Sequence, residues 1–125
     1  MNVLIVDDSE ASLQYLRRVV VACGHTVVGE ARDGAGAVRQ YGALRPDVVV
    51  MDLIMPTMNG LEALREIRDA DPAARVVLAS SAQSSDAALE AEQLGARFFL
   101  YKPIEQEQLA HVLDVLAGAQ DGQAD

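Results

Sequence analysis

Residues 3–9 read Val3-Leu4-Ile5-Val6-Asp7-Asp8-Ser9, a run of four apolar residues that ends in two adjacent carboxylates. An apolar run without alternation is the pattern of a strand covered on both faces, because a strand with one wet face alternates apolar and polar residues. The two carboxylates repel each other. Burying either is unfavourable unless a metal ion, a basic side chain or solvent compensates the charge. The same grammar recurs downstream. Val48–Met51 runs into Asp52, Arg75–Ala79 into Ser80 and Phe98–Tyr101 into Lys102, while Thr26–Glu30 carries only Glu30 near its end.

Between these runs the apolar period changes from continuous to helical. A helix opens at Ser9 or Glu10 and continues to about Ala22, with Leu13, Leu16 and Val20 on one side and Gly24 just past its end. Asp33 caps a second helix that ends near Gly42, ahead of Pro46. Asn59 caps a third along Leu61, Leu64 and Ile67, stopped before Pro72. A fourth starts at Ser85 or Asp86 and closes at Gly95. The fifth shows Leu109, Val112, Leu113 and Leu116 as a single stripe. Five short strands alternating with five helices imply βαβ units, a parallel sheet and helices on both faces. The expected fold is therefore α/β, a doubly wound, flavodoxin-like (βα)5 with strand order 2-1-3-4-5 and ligands at the carboxyl ends of strands 1 and 3. Residues 1–118 form one domain, and residues 119–125 are a polar tail expected to be flexible.

Bulk properties narrow the function. The 125 residues, half of them hydrophobic, suit one domain with a real core. With 10 basic and 19 acidic residues the formal charge is −9, which argues against direct nucleic-acid binding. No apolar run reaches the ~20 residues of a membrane span, and the N-terminus lacks signal-peptide features. The one cysteine, Cys23, forms no disulfide framework and reads as a small apolar residue near a helix end. A cytoplasmic protein is expected. His25 and His111 have no partner motif and read as surface residues. "DGAGAVRQYG" offers G-x-G but has Arg39 where a dinucleotide fingerprint needs its third glycine.

The topology gathers Asp7, Asp8, Asp52, Ser80 and Lys102 at one edge of the sheet. Two carboxylates about 5 Å apart repel by roughly 3 kcal/mol at an effective dielectric of 20, and a third adds to this. A hard divalent cation relieves such a cluster, and Mg²⁺ characteristically uses one or two carboxylates, waters and a phosphate oxygen. Lys102 suits a phosphoryl oxygen as a point charge. A carboxylate beside the metal is a competent nucleophile toward phosphorus.

At "VDDS" (6–9), "DLIMPTMNG" (52–60), "LASSA" (78–82) and "LGARFFLYKPI" (94–104) the chain resembles the receiver domain of response regulators, similar to the single-domain chemotaxis type, over residues 2–117. The resemblance implies a phosphorylation-activated switch of a two-component system. Asp52 matches the phosphoacceptor, Asp8 the direct Mg²⁺ ligand, Asp7 the one acting largely through water, and Ile54 the ligand through its backbone carbonyl. Lys102 matches the phosphoryl-contacting lysine, joined to Pro103 by a cis peptide in the family. The switch hydroxyl falls on Ser80 or Ser81, and Ser80, 22 positions before Lys102, fits the family spacing better. Phe99 matches the aromatic whose rotamer reports activation.

The implied partners are a histidine kinase or phosphotransfer protein, and a downstream protein met through the helix 4–strand 5–helix 5 face. A monomer is expected, with dimerisation on phosphorylation as the alternative. Ile54 and Ala82 stand two positions after Asp52 and Ser80, where the family governs water access, and neither can orient a water through its side chain. Slow to moderate self-dephosphorylation follows. Arg97 replaces the acidic residue that the DNA-binding branch usually has after "GA".

Ending just after helix 5, the chain is expected to act by binding a protein, either free-standing or as the receiver of a longer regulator or hybrid kinase. Two other classes compete. A haloacid-dehalogenase-type phosphohydrolase also uses Asp, Ser, Lys and Mg²⁺, but Ile54 occupies its second acid position and no segment is left for a cap. A phosphorylation-independent docking module would not need the intact pocket. No turnover of an external substrate is expected.

Overall fold

The computed structural model describes residues 1–81 and 85–120. In chain order its elements are β1 (Asn2–Val6), α1 (Glu10–Ala22), β2 (Thr26–Ala31), α2 (Gly34–Leu44), β3 (Val48–Asp52), α3 (Gly60–Ala70), β4 (Val76–Ser80), α4 (Ser85–Gln93), β5 (Phe98–Tyr101) and α5 (Gln106–Gln120). The five strands pair in parallel in the order β2-β1-β3-β4-β5. This is the doubly wound, flavodoxin-like architecture expected from the alternating pattern.

Local chemistry explains the helix ends. The Ser9, Asp33 and Asn59 side chains each accept an amide N–H three residues on, from Ser12, Gly36 and Glu62, and so satisfy donors that the first helical turn leaves free. Glu62 returns a carboxylate to the Asn59 amide at 3.0 Å, completing a capping box. Gly24 ends α1 at φ 86°, where the amides of Gly24 and His25 donate back to Val21 and Val20. Two ends differ from expectation. α2 passes Gly42 and stops at Leu44, because a Cβ-less residue weakens a helix interior by only about 1 kcal/mol, while Pro46 disfavours helical backbone at Arg45. α5 passes Gly118 and reaches Gln120. Residues 121–125, most of the expected tail, lie outside the described residues, as does Ala82.

Two apolar layers cover the sheet. Val3, Ile5, Val50, Val77 and Leu100 pack with α1 and α5. Leu4, Val6, Val49, Met51 and Leu78 pack with α2, α3 and α4 on the other face. Every residue of β3 and β4 is buried, which is why neither run alternates. No described helix is long and apolar enough to cross a membrane. His111 is exposed as expected, but His25 is half-buried. Its Nδ1 accepts the N-terminal ammonium of Met1 at 2.8 Å, and burial, then that charge, holds its pKa below the ordinary range.

One polar tie within the α2–α3 layer sets an alkaline limit. Buried Tyr41 donates its hydroxyl to Asp71 Oδ2 at 2.7 Å. Burial first, then Asp71, pushes the phenol from 10.0 up to about 12. Between these values the folded phenol keeps a proton that the unfolded chain gives up. The contribution is therefore fully present below the unfolded value and is lost as pH rises through the folded one. Unfolding free energy from urea titrations should fall by about 1 kcal/mol over the first pH unit above the unfolded value, and in Tyr41→Phe that slope should be absent.

Candidate functional site

The carboxyl ends of β1, β3, β4 and β5 meet at one edge because the strands pair in register there. Val6 lies opposite Met51, Asp52 opposite Ala79 and Ser80 opposite Tyr101. The polar residues that close or follow these strands therefore gather at that edge, with Ser80 and Lys102 one and two residues beyond the level of Asp52. Asp7 follows β1 with its amide still donating to Ala31 at 3.0 Å. Asp52 closes β3, Ser80 closes β4, and Lys102 follows β5 with its amide donating to the Ser80 carbonyl at 2.8 Å.

Their side chains form one charged cluster. Lys102 Nζ donates to Asp7 Oδ2 at 2.6 Å and lies 3.3 Å from Asp52 Oδ1. The other Asp7 oxygen accepts the Ser9 amide at 3.0 Å, so both oxygens of this buried carboxylate are engaged. Asp8 is exposed. Carboxylate oxygens of Asp7, Asp8 and Asp52 lie within 4.8 Å of one another, a group able to hold a metal ion. Burial pushes the Asp52 carboxyl above its ordinary range; Lys102 pulls it down, Asp7 and Asp8 push it up, and the upward effects win. Burial works against the Lys102 charge, but Asp7 and Asp52 together outweigh it and hold its pKa above the usual value. One ammonium is therefore too little cation for three carboxylates. An all-oxygen donor set short of positive charge fits Mg²⁺.

The loop after Asp52 is held close to the strand. The Gly60 amide donates to the Leu53 carbonyl at 2.7 Å, and a Cβ on Gly60 would stand 2.6 Å from the Asp52 carbonyl. Only glycine permits that approach. Thr57 sits at φ 62°, rare for a β-branched residue, with the Met58 amide and the Thr57 hydroxyl both donating to the Pro56 carbonyl. Met55 is buried, whereas the Ile54 side chain is 58 % exposed. Ser80 is fully buried, and Ser81 beside it is exposed. Half-buried Phe99 meets Tyr101 edge-on, with ring centroids 5.4 Å apart. The Lys102–Pro103 peptide is cis.

The fold thus brings Asp7, Asp8, Asp52 and Lys102 together and places Ser80 at the adjoining strand end. Phe99 lies back along β5. Three features had escaped the sequence. Arg32 pairs with Glu10 between the ends of β2 and α1, Thr57 takes its left-handed turn, and Tyr15 lines the same pocket as Asp7, Asp52 and Lys102. None has a spacing signal, since the first and last depend on residues brought together from distant segments.

Comparison with known proteins agrees with this geometry. The family model described as the response regulator receiver domain matches residues 3–114. The chain is 38% identical over 113 residues to the chemotaxis protein CheY of Thermotoga maritima, covering 90% of this chain and 94% of that one. It is 36% identical over 113 residues to CheY of Bacillus subtilis, with the same shares covered. A solved structure of the CheX–CheY–BeF3–Mg²⁺ complex from Borrelia burgdorferi superposes with a TM-score of 0.88 at 31% identity, covering 92% of this chain and 88% of that one.

Proposed function

The chain belongs to the response regulator receiver family, the phosphorylation-activated component of two-component signalling, and we propose that Asp52 is the carboxylate that accepts the phosphoryl group. The observation that carries this reading is the position of Asp52. It is 8 % exposed at the end of β3, 3.3 Å from the Lys102 ammonium and within reach of two further carboxylates.

An Asp52 oxygen attacks phosphorus of a kinase or phosphotransfer-protein phosphohistidine. The new O–P bond forms as the P–N bond breaks, and the imidazole leaves with the electron pair. Lys102 stands where it can turn from Asp52 to a phosphoryl oxygen, a charge-assisted contact. Mg²⁺, held by Asp8, Asp52 and the Ile54 carbonyl with Asp7 acting through water, would neutralise charge on the transferring group. The exposed, uncommitted Asp8 and the doubly engaged Asp7 support that division of roles. Ser80 is the hydroxyl able to answer the new charge, and Phe99 the ring that moves with it. The changed α4–β5–α5 face then selects a downstream protein partner. The domain over 1–118 works as a cytoplasmic monomer that turns over no external substrate.

Intact mass after incubation with Mg²⁺ and acetyl phosphate tests the reading. One added phosphoryl group is expected, lost when the metal is chelated. A folded protein that stays unlabelled in repeated trials with saturating Mg²⁺ would overturn it.

A further inference from the structure

The loop that carries Lys102 is fixed at two places. Upstream, the Lys102 amide donates to the Ser80 carbonyl on β4. Downstream, the Tyr15 hydroxyl on α1 donates to the Ile104 carbonyl at 2.6 Å. Pro103, between them, has no N–H to contribute. Tyr15 and Ile104 also wall a pocket of about 480 Å³ that contains Asp7, Asp52 and Lys102. Ile104 is buried, and Arg18 covers the outer face of the Tyr15 ring with its guanidinium carbon 6.0 Å from the centroid. The phenol is thus held in a fixed pose against a carbonyl two residues beyond the lysine.

We propose that Tyr15 is a positioning residue for phosphoryl transfer. Its bond to the Ile104 carbonyl sets where the Lys102 ammonium stands between Asp7 and Asp52. The inference rests on the function proposed above. Lys102 Nζ lies 2.6 Å from Asp7 and 3.3 Å from Asp52, so a loop displacement of an ångström suffices to take it out of reach of Asp52. Displacements of that size slow enzymatic steps by up to about 10²-fold. Tyr15 acts through the loop and touches no reacting atom. The hydroxyl is the whole device, because the ring stays packed without it.

The test is a double-mutant cycle on the rate of labelling by acetyl phosphate at saturating Mg²⁺, with Tyr15→Phe made in the parent and in Lys102→Ala. Tyr15→Phe should slow the parent about ten-fold and leave the Lys102→Ala rate within about two-fold, because no ammonium remains to be placed. The Lys102 Nζ resonance should shift in Tyr15→Phe without phosphodonor. Equal slowing in both backgrounds, or none in the parent, would overturn the role of Tyr15 while leaving the acceptor reading intact. An unlabelled parent would overturn both. Thermal melting of each variant separates these results from loss of fold.

Discussion

Asp52→Asn should take up no phosphoryl group and yet be the more stable protein in metal-free buffer. The first half follows from the proposed acceptor role, since an amide oxygen cannot form the acyl phosphate. Labelling should drop below detection, at least about 10²-fold under the parent. The second half follows from the balance of charges. Burial and two neighbouring carboxylates push the Asp52 carboxyl up more strongly than Lys102 pulls it down. An acid whose folded pKa is raised lowers stability once it ionises, through the window between its unfolded and folded values, and a neutral isostere removes that loss. Asparagine keeps the shape of the side chain and drops the charge, so a gain in unfolding free energy is expected near neutral pH. Parallel urea titrations with and without Mg²⁺ measure it. Mg²⁺ should stabilise the parent more than Asp52→Asn, because one of its anionic ligands is gone. A variant less stable than the parent in chelator would mean that the Lys102 pairing outweighs the repulsion.

The fold was legible because its signals are local. Unalternating runs such as Val48–Asp52 report burial on both faces, and Ser9, Asp33 and Asn59 mark helix starts through their own side chains. The polar edge was legible by inference from those runs, since parallel strands of similar length bring the residues at their carboxyl ends to one edge of the sheet. What stayed hidden depends on pairs far apart in sequence. Tyr15 lies off the Leu13–Leu16–Val20 stripe, and nothing in the chain announces that its hydroxyl meets residue 104. Tyr41 with Asp71, and Arg32 with Glu10, are of the same kind. His25 was misplaced at the surface because its partner is the chain's own N-terminal ammonium, a group that residue patterns do not display. The Thr57 turn was hidden because threonine carries no glycine-like mark of positive φ.

Lys102→Met should have the largest effect on the metal-free protein. The substitution keeps an unbranched side chain of similar length among Tyr15, Pro103 and Ile104 and removes the ammonium that compensates Asp7. Asp7 is 1 % exposed and would keep the Ser9 amide but no compensating charge. Removing one member of a buried pair destabilises by about 3 kcal/mol or more, which for a domain of this size lowers Tm by roughly 10 °C. The loss should shrink in two ways that a simple packing defect would not reproduce. With Lys102 gone nothing pulls the raised Asp52 carboxyl back down, so stability should recover as pH falls and this acid protonates. Mg²⁺ should recover it too. The variant lacks the ammonium that competes with the metal, so it should bind at least about ten-fold more tightly, and binding to the folded state adds stability in proportion to the logarithm of occupancy. Phosphorylation should nevertheless slow by about 10²-fold, the effect of removing one well-placed donor from a developing anion. Calorimetric Mg²⁺ titration and melting curves across pH separate the two contributions. A deficit that neither acid nor Mg²⁺ reduces would place the lysine in packing alone and leave the three carboxylates without a shared charge problem for a metal to solve.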